Sequence, residues 1–121
     1  MTKKKIDNAL QLAKAAVEAI DDKKGTDIIC YKLQGLPHAV SEYFVIATGN
    51  TERQVNAISD AVVDHVRLKL KEKTSHIEGK ENLEWVLIDY FNVVVHIFKP
   101  EARDFYNLDG LWADAELVKF E

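Results

Sequence analysis

Tyr43-Phe44-Val45-Ile46-Ala47 is an unbroken apolar run in a chain of which 30% of residues are charged. A run this short, rich in β-branched and aromatic side chains, reads as a strand with both faces covered. Such a strand belongs in the middle of a sheet, with packed layers above and below it. Thr48-Gly49-Asn50 breaks the run, and Thr51-Glu52-Arg53-Gln54 then matches a helix capping box. In that box Thr51 accepts a forward N–H and Gln54 reaches back to the N–H of the cap. Strand, tight turn and capped helix together indicate an α/β arrangement.

The remaining elements follow from periodicity. Ile6, Leu10, Ala13, Val17 and Ile20 recur at helical spacing, which predicts a first helix over about 6–23 with Gly25 at its C-terminal cap. Asp27 to Leu33 reads as a strand, and Gly35 and Pro37 mark a loop after it. The helix opened by Thr51 should run to about Lys71. Val55, Ile58, Val62 and Val66 would face inward, with Arg53, Asp60, Asp64, Arg67 and Lys71 largely outward. Ser75 to Glu78 reads as a short strand ended by Gly79. Trp85 to Tyr90 and Asn92 to Phe98 read as an antiparallel hairpin turning tightly at Phe91-Asn92. Pro100 opens a short helix, where its missing N–H is harmless. The expected fold is α/β: one domain over residues 1–121, with a mixed sheet of about five strands and flanking helices.

Charge narrows the function. Residues 1–74 carry 12 basic and 10 acidic side chains, a net of +2; residues 75–121 carry 4 and 10, a net of −6. An acidic surface repels phosphate, so little direct nucleic-acid binding is expected there, and a basic protein partner suits it better. The apolar runs are far shorter than the roughly 20 residues a bilayer needs, so no membrane span is expected. Met1-Thr2-Lys3-Lys4-Lys5 is not followed by a continuous apolar stretch, as an export signal would require. A single cysteine, Cys30, excludes an internal disulfide and reads as a small buried hydrophobe. A cytoplasmic protein is the expectation.

Catalytic patterns do not assemble. The turn at Gly49 lacks the lysine and further glycines of a phosphate-binding loop. The carboxylate pair that would hold Mg²⁺ for nucleotidyl transfer is missing: Glu52 and Asp89 each stand alone, and Asp21 and Asp22 are adjacent on a helix. His96 shares a sheet face with Val94 and Phe98, but no nucleophile is placed beside it by a motif. No catalytic residue, metal or cofactor is expected. Aromatics are the distinctive feature. Trp85, Tyr90, Phe91, Phe98, Phe105, Tyr106 and Trp112 crowd the last part of the chain, interleaved with Glu81, Glu84, Asp89, Asp104, Asp109 and Asp114. Phe98 and Phe105 read as core. Trp and Tyr are frequent anchors of protein interfaces, and acids around them suit a partner rich in Lys and Arg.

Three segments carry a family resemblance. They are Tyr43–Gln54, Trp85–Phe98 with its Trp-Val-Leu-Ile-Asp-Tyr opening, and Pro100–Trp112 with Pro-Glu-Ala-Arg-Asp-Phe-Tyr-Asn-Leu. In order and spacing the chain resembles the ribosomal silencing factor (Iojap-like) family across nearly its whole length. The resemblance implies a nucleotidyltransferase-like topology without the catalytic carboxylates. It also implies a translational repressor that binds the large ribosomal subunit through large-subunit ribosomal protein number fourteen. Bound there, it would block joining of the small subunit when nutrients are short. A role in large-subunit assembly is the alternative, and a degenerate nucleotidyltransferase a more remote one. The expected partner-binding residues are Trp85, Asp89, Tyr90, His96, Arg103, Tyr106, Leu108 and Trp112, and the same apolar surface would make the free protein a homodimer. One position departs from the family: Phe91 stands where a glycine is common in the hairpin turn, so a positive φ either strains Phe91 or passes to Asn92.

Overall fold

The computed structural model describes the backbone of residues 2–120 and the side chains of residues 8–120. The elements run α1 (Thr2–Asp22), β1 (Thr26–Lys32), β2 (Tyr43–Thr48), α2 (Glu52–Leu70), β3 (His76–Glu78), β4 (Trp85–Asp89), β5 (Val93–Phe98), α3 (Pro100–Tyr106), α4 (Leu108–Leu111) and β6 (Glu116–Val118). The strands form one sheet in the order β3-β4-β5-β2-β1-β6. β2 and β5 pair in parallel, and the other neighbours pair antiparallel. The apolar run is thus the centre of the sheet, and every residue of β2 and β5 is buried.

The sheet has six strands, where the sequence pointed to about five. β6 was missed because it is three residues long and largely exposed, too short for alternation to register. It pairs with β1 through Cys30–Val118, Tyr31–Leu117 and Lys32–Glu116.

The two faces are covered unequally. Val45, Ala47, Val86, Ile88, Val93, Val95 and Ile97 point to α1 and α2 and form the larger core. Phe44, Ile46, Val94 and Phe98 point the other way, where only α3, α4 and loop residues cover them. Phe98 is fully buried, a transfer worth about 2–3 kcal/mol.

The α2 inner face is as expected: Val55, Ile58, Val62 and Val66 are buried. α1 differs from expectation in part. Its buried face is Ala9, Leu12, Ala13, Ala16, Ala19 and Ile20, whereas Leu10 is 36% exposed and Val17 only partly buried. Ala13 and Ile20 are buried as expected, and the further alanines on that face let α1 lie close to its neighbours. The expected contribution of Ile6 lies outside the described side chains.

Two ends of helices also resolve differently. Lys24, not Gly25, takes the left-handed conformation after α1, at φ 67°. The N–H of Gly25 donates to the Ile20 carbonyl (2.9 Å) and that of Lys24 to Asp21 (3.0 Å), the paired bonds of a Schellman cap. Gly25 is required for space, since a Cβ there would collide with the Ile20 side chain. At the start of α2, Thr51 accepts from the Gln54 N–H at 3.1 Å as expected. Gln54 reaches back one residue further than a capping box requires, accepting from the Asn50 N–H at 2.7 Å. Its amide also donates to the carbonyls of Lys23 and Lys24, which straps α2 to the end of α1.

The β4–β5 hairpin turns through Tyr90-Phe91-Asn92. Phe91 itself takes φ 77°, and the Asn92 N–H donates to the Tyr90 carbonyl at 2.9 Å. The positive φ therefore falls on Phe91, not on Asn92. A bond from i+2 to i with a positive central φ is a γ-turn, a strained conformation for a residue with a Cβ.

Candidate protein-docking face

The lightly covered face of the sheet gathers most of the aromatic residues. Alternation along β4 places Trp85, Leu87 and Asp89 on it, each half-buried. From β5 it receives Val94, His96 and Phe98. α3 and α4 add Tyr106, Leu108 and Trp112. The Trp85 ring stacks on Phe98 with centroids 5.0 Å apart and meets Tyr106 at 4.7 Å. Trp112 meets Phe44 edge-on at 5.9 Å. Tyr106 is 51% exposed, Leu111 67% and Phe105 80%. The result is a shelf of rings, anchored in the core below and wet above. Exposed acids are close to these residues in sequence: Glu84 just before β4, Glu101 and Asp104 in α3, and Asp114 after α4.

The eight expected contact residues do not share one role. Trp85, Tyr106, Leu108 and Trp112 are together on the shelf. Asp89 is on the same face, but one carboxylate oxygen already accepts from the Phe91 N–H at 2.7 Å, bracing the γ-turn. Tyr90 is on the opposite face, 7% exposed and packed in the helix-covered core. Its position after Asp89 turns it away, so it is not a surface contact. Burial and, next, Glu72 push its hydroxyl up to about 12. His96 is on the correct face but only 2% exposed, beneath the rings. Its Nδ1 lies 3.1 Å from Trp85 Nε1. Burial pushes the imidazole down to about 3, so it is neutral in the cell.

Arg103 is a brace rather than a free cation. It makes a two-pronged bond to Asp109, with Nε to Oδ2 at 2.9 Å and Nη2 to Oδ1 at 3.1 Å. Its Nη1 donates to the Asp27 carbonyl at 2.7 Å and to Thr48 Oγ1 at 2.8 Å. The Asp27 carbonyl is presented by an irregularity in β1, where the register shifts and Asp27 takes φ 50°. Tyr31 adds a hydroxyl bond to Asp109 at 2.7 Å. Burial alone would raise the Asp109 carboxyl. The bonds from Arg103 and Tyr31 outweigh it and hold the group below its usual range.

Two further apolar side chains stand at this face, Leu87 and, edge-on to Tyr106 at 5.0 Å, Phe105. Leu87 was legible, since it alternates with Trp85 and Asp89. Phe105 was read as core, yet it points to solvent, because α3 has only seven residues and Ala102 is the one it buries.

Sites for chemistry are few. The Gly49 N–H, a candidate phosphate ligand, donates to the Phe98 carbonyl at 2.8 Å, and Val55 packs against the glycine. Among the described residues, no three His, Cys, Asp or Glu side chains are grouped to hold a metal, and no helix is long and apolar enough to cross a membrane. Cys30 is 3% exposed, and burial pushes its thiol up to about 12, which makes it inert.

Comparison with known proteins places this geometry. Residues 6–121 match the family model described as ribosomal silencing factor during starvation. The chain belongs to the ribosomal silencing factor family. A ribosomal silencing factor of Halalkalibacterium halodurans is 38% identical over 114 residues, covering 92% of this chain and 93% of that one. Its counterpart in Bacillus subtilis is 36% identical over 117 residues, covering 94% and 95%. A crystal structure of a Chromobacterium violaceum protein superposes with a TM-score of 0.81 at 34% identity, covering 92% of this chain and 90% of that one. The fold described above is therefore shared with that solved structure over nine-tenths of each chain.

Proposed function

We propose that the protein is a non-catalytic repressor of translation that docks on the large ribosomal subunit and keeps the small subunit from joining. The observation that carries this reading is the ring shelf: Trp85, Leu87, Tyr106, Leu108 and Trp112 on a thinly covered sheet face, within residues 75–121, which carry a net charge of −6. Apolar anchors in an acid-rich stretch of the chain suit a basic protein surface, and large-subunit ribosomal protein number fourteen is the partner the family resemblance implies. Bound there, the domain acts by bulk. It removes large subunits from the joining equilibrium by mass action, with no bond made or broken.

The test is a pulldown with purified large subunits, then a joining assay with added small subunits. Binding together with fewer joined particles supports the reading. Binding without any effect on joining, or no binding, sinks it. Sedimentation profiles from cells lacking the protein separate silencing from assembly, because immature large-subunit particles would accumulate only in the second case. Self-association of the free protein through the same shelf is tested by light scattering over a dilution series.

A further inference from the structure

We propose that His96 is a positioning residue for docking: its Nδ1 accepts the Trp85 indole N–H and fixes the ring in the one orientation that presents it on the shelf. The inference rests on the docking reading above. An indole nitrogen can only donate, so the atom 3.1 Å away, His96 Nδ1, must accept. In a neutral imidazole the proton is then on Nε2. That atom is buried and has no hydrogen-bond partner among the described residues.

Everything around the imidazole keeps it in place. Phe44 lies 4.6 Å from it, centroid to centroid, Phe98 is stacked at 6.2 Å, and Trp85 is at 5.9 Å. His96 pairs with Leu87 across the β4–β5 ladder and Trp85 pairs with Phe98, so donor and acceptor are diagonal neighbours on one face. The acceptor is therefore fixed by two strands in the middle of the sheet.

The donor is less constrained. Trp85 opens β4 and is only half-buried. The torsion between its ring and backbone has two broad wells about a half-turn apart. Stacking on Phe98 tolerates either well, because a ring flipped about that torsion still covers apolar surface. The ring contacts with Phe98 and Tyr106 carry little directional preference, whereas the bond to His96 Nδ1 is directional. Burying a histidine with one idle N–H is otherwise a poor use of a core position, where an apolar ring would fit without an orphaned donor.

Two substitutions separate positioning from filling. His96→Phe keeps a ring and removes the acceptor. His96→Asn loses the ring but puts its amide oxygen near the place of Nδ1. The readouts are the Trp85 indole N–H resonance, assigned against Trp112 by a Trp85→Phe variant, and affinity for purified large subunits. In the parent protein the Trp85 indole proton should resonate downfield and exchange slowly. His96→Phe should abolish both properties and weaken binding about tenfold. His96→Asn should retain both and bind within about threefold of the parent, even if it melts at a lower temperature. An unchanged indole signal in His96→Phe overturns the inference, as does unimpaired binding by that variant. A folded His96→Asn that binds as poorly as His96→Phe overturns it too. Nitrogen NMR of the parent protein needs no variant: a proton on Nδ1 in place of Nε2 would refute the assignment outright. If the parent does not bind large subunits, the docking reading fails, while the NMR arms still decide the Trp85–His96 bond.

Discussion

Replacing Arg103 by methionine is the sharpest test of how the shelf is held. The guanidinium makes four hydrogen bonds, between 2.7 and 3.1 Å, that tie α3 to α4, to the start of β1 and to the end of β2. Methionine keeps much of the apolar stem and none of the donors. Removing one partner of a fully buried ion pair costs about 3–5 kcal/mol. Here the side chains of Arg103 and Asp109 are 11% and 29% exposed, so water can partly solvate the abandoned carboxylate. The expected loss is therefore about 2–3 kcal/mol. With a urea slope of about 1.5 kcal/mol per M for a chain of this size, the unfolding midpoint should fall by about 1–2 M.

The loss should depend on pH in a defined direction. Asp109 has its folded value below the ordinary 3.8. A depressed carboxyl contributes stability above its unfolded value and loses it as pH falls through the folded one. The gap between parent and Arg103→Met should accordingly be constant from pH 7 to about 5 and narrow below about 4. A double-mutant cycle with Asp109→Asn should give a coupling of at least about 1 kcal/mol. A midpoint shift under about 0.5 M, or no coupling in the cycle, would refute the brace and return Arg103 to the set of available surface cations.

Further outcomes follow from other positions. Tyr106→Ala removes a half-exposed ring whose loss should leave stability within about 1 kcal/mol, yet weaken large-subunit binding by about 2 kcal/mol or more, as read by competition sedimentation. Phe91→Gly relieves a positive φ at an 80% exposed position and should raise the unfolding free energy by up to about 1 kcal/mol in a thermal melt; a loss would show that the turn is not strained. Gly79→Ala should destabilise by more than about 2 kcal/mol, because φ is 93° and a Cβ would strike the Trp85 carbonyl. Cys30 should resist thiol reagents at pH 8 in the native state and react promptly in urea, since its thiol is buried and pushed up to about 12.

Where the sequence was legible, strong periodicity was the reason. β2, α2, β4 and β5 each repeat an apolar pattern over five or more residues, and their observed bounds lie within a residue or two of those expected. What stayed hidden depended on partners distant in the chain. Arg103 was expected at the partner interface because the groups that consume it, Asp27, Thr48 and Asp109, converge only after folding. Tyr90 and Asp89 are adjacent, yet the pleat sends them to opposite faces, and only knowing which face the helices cover says which one is outside. His96 alternates with Val94 and Phe98, which fixed its face correctly but not its depth. The α1 stripe holds at Ala13 and Ile20 and in part at Val17; Leu12 and the other buried alanines were hidden because alanine gives a weak apolar signal.

The strands at both margins, β3 and β6, have three residues each and are mostly exposed. So short a margin offers an incoming chain very little template for strand addition, and it also guards against sheet-to-sheet aggregation. Recognition by this fold is thereby steered away from main-chain pairing at its borders. On the docking reading proposed above, a partner meets it broadside, by side-chain fit, where single substitutions can tune affinity without disturbing the ladder.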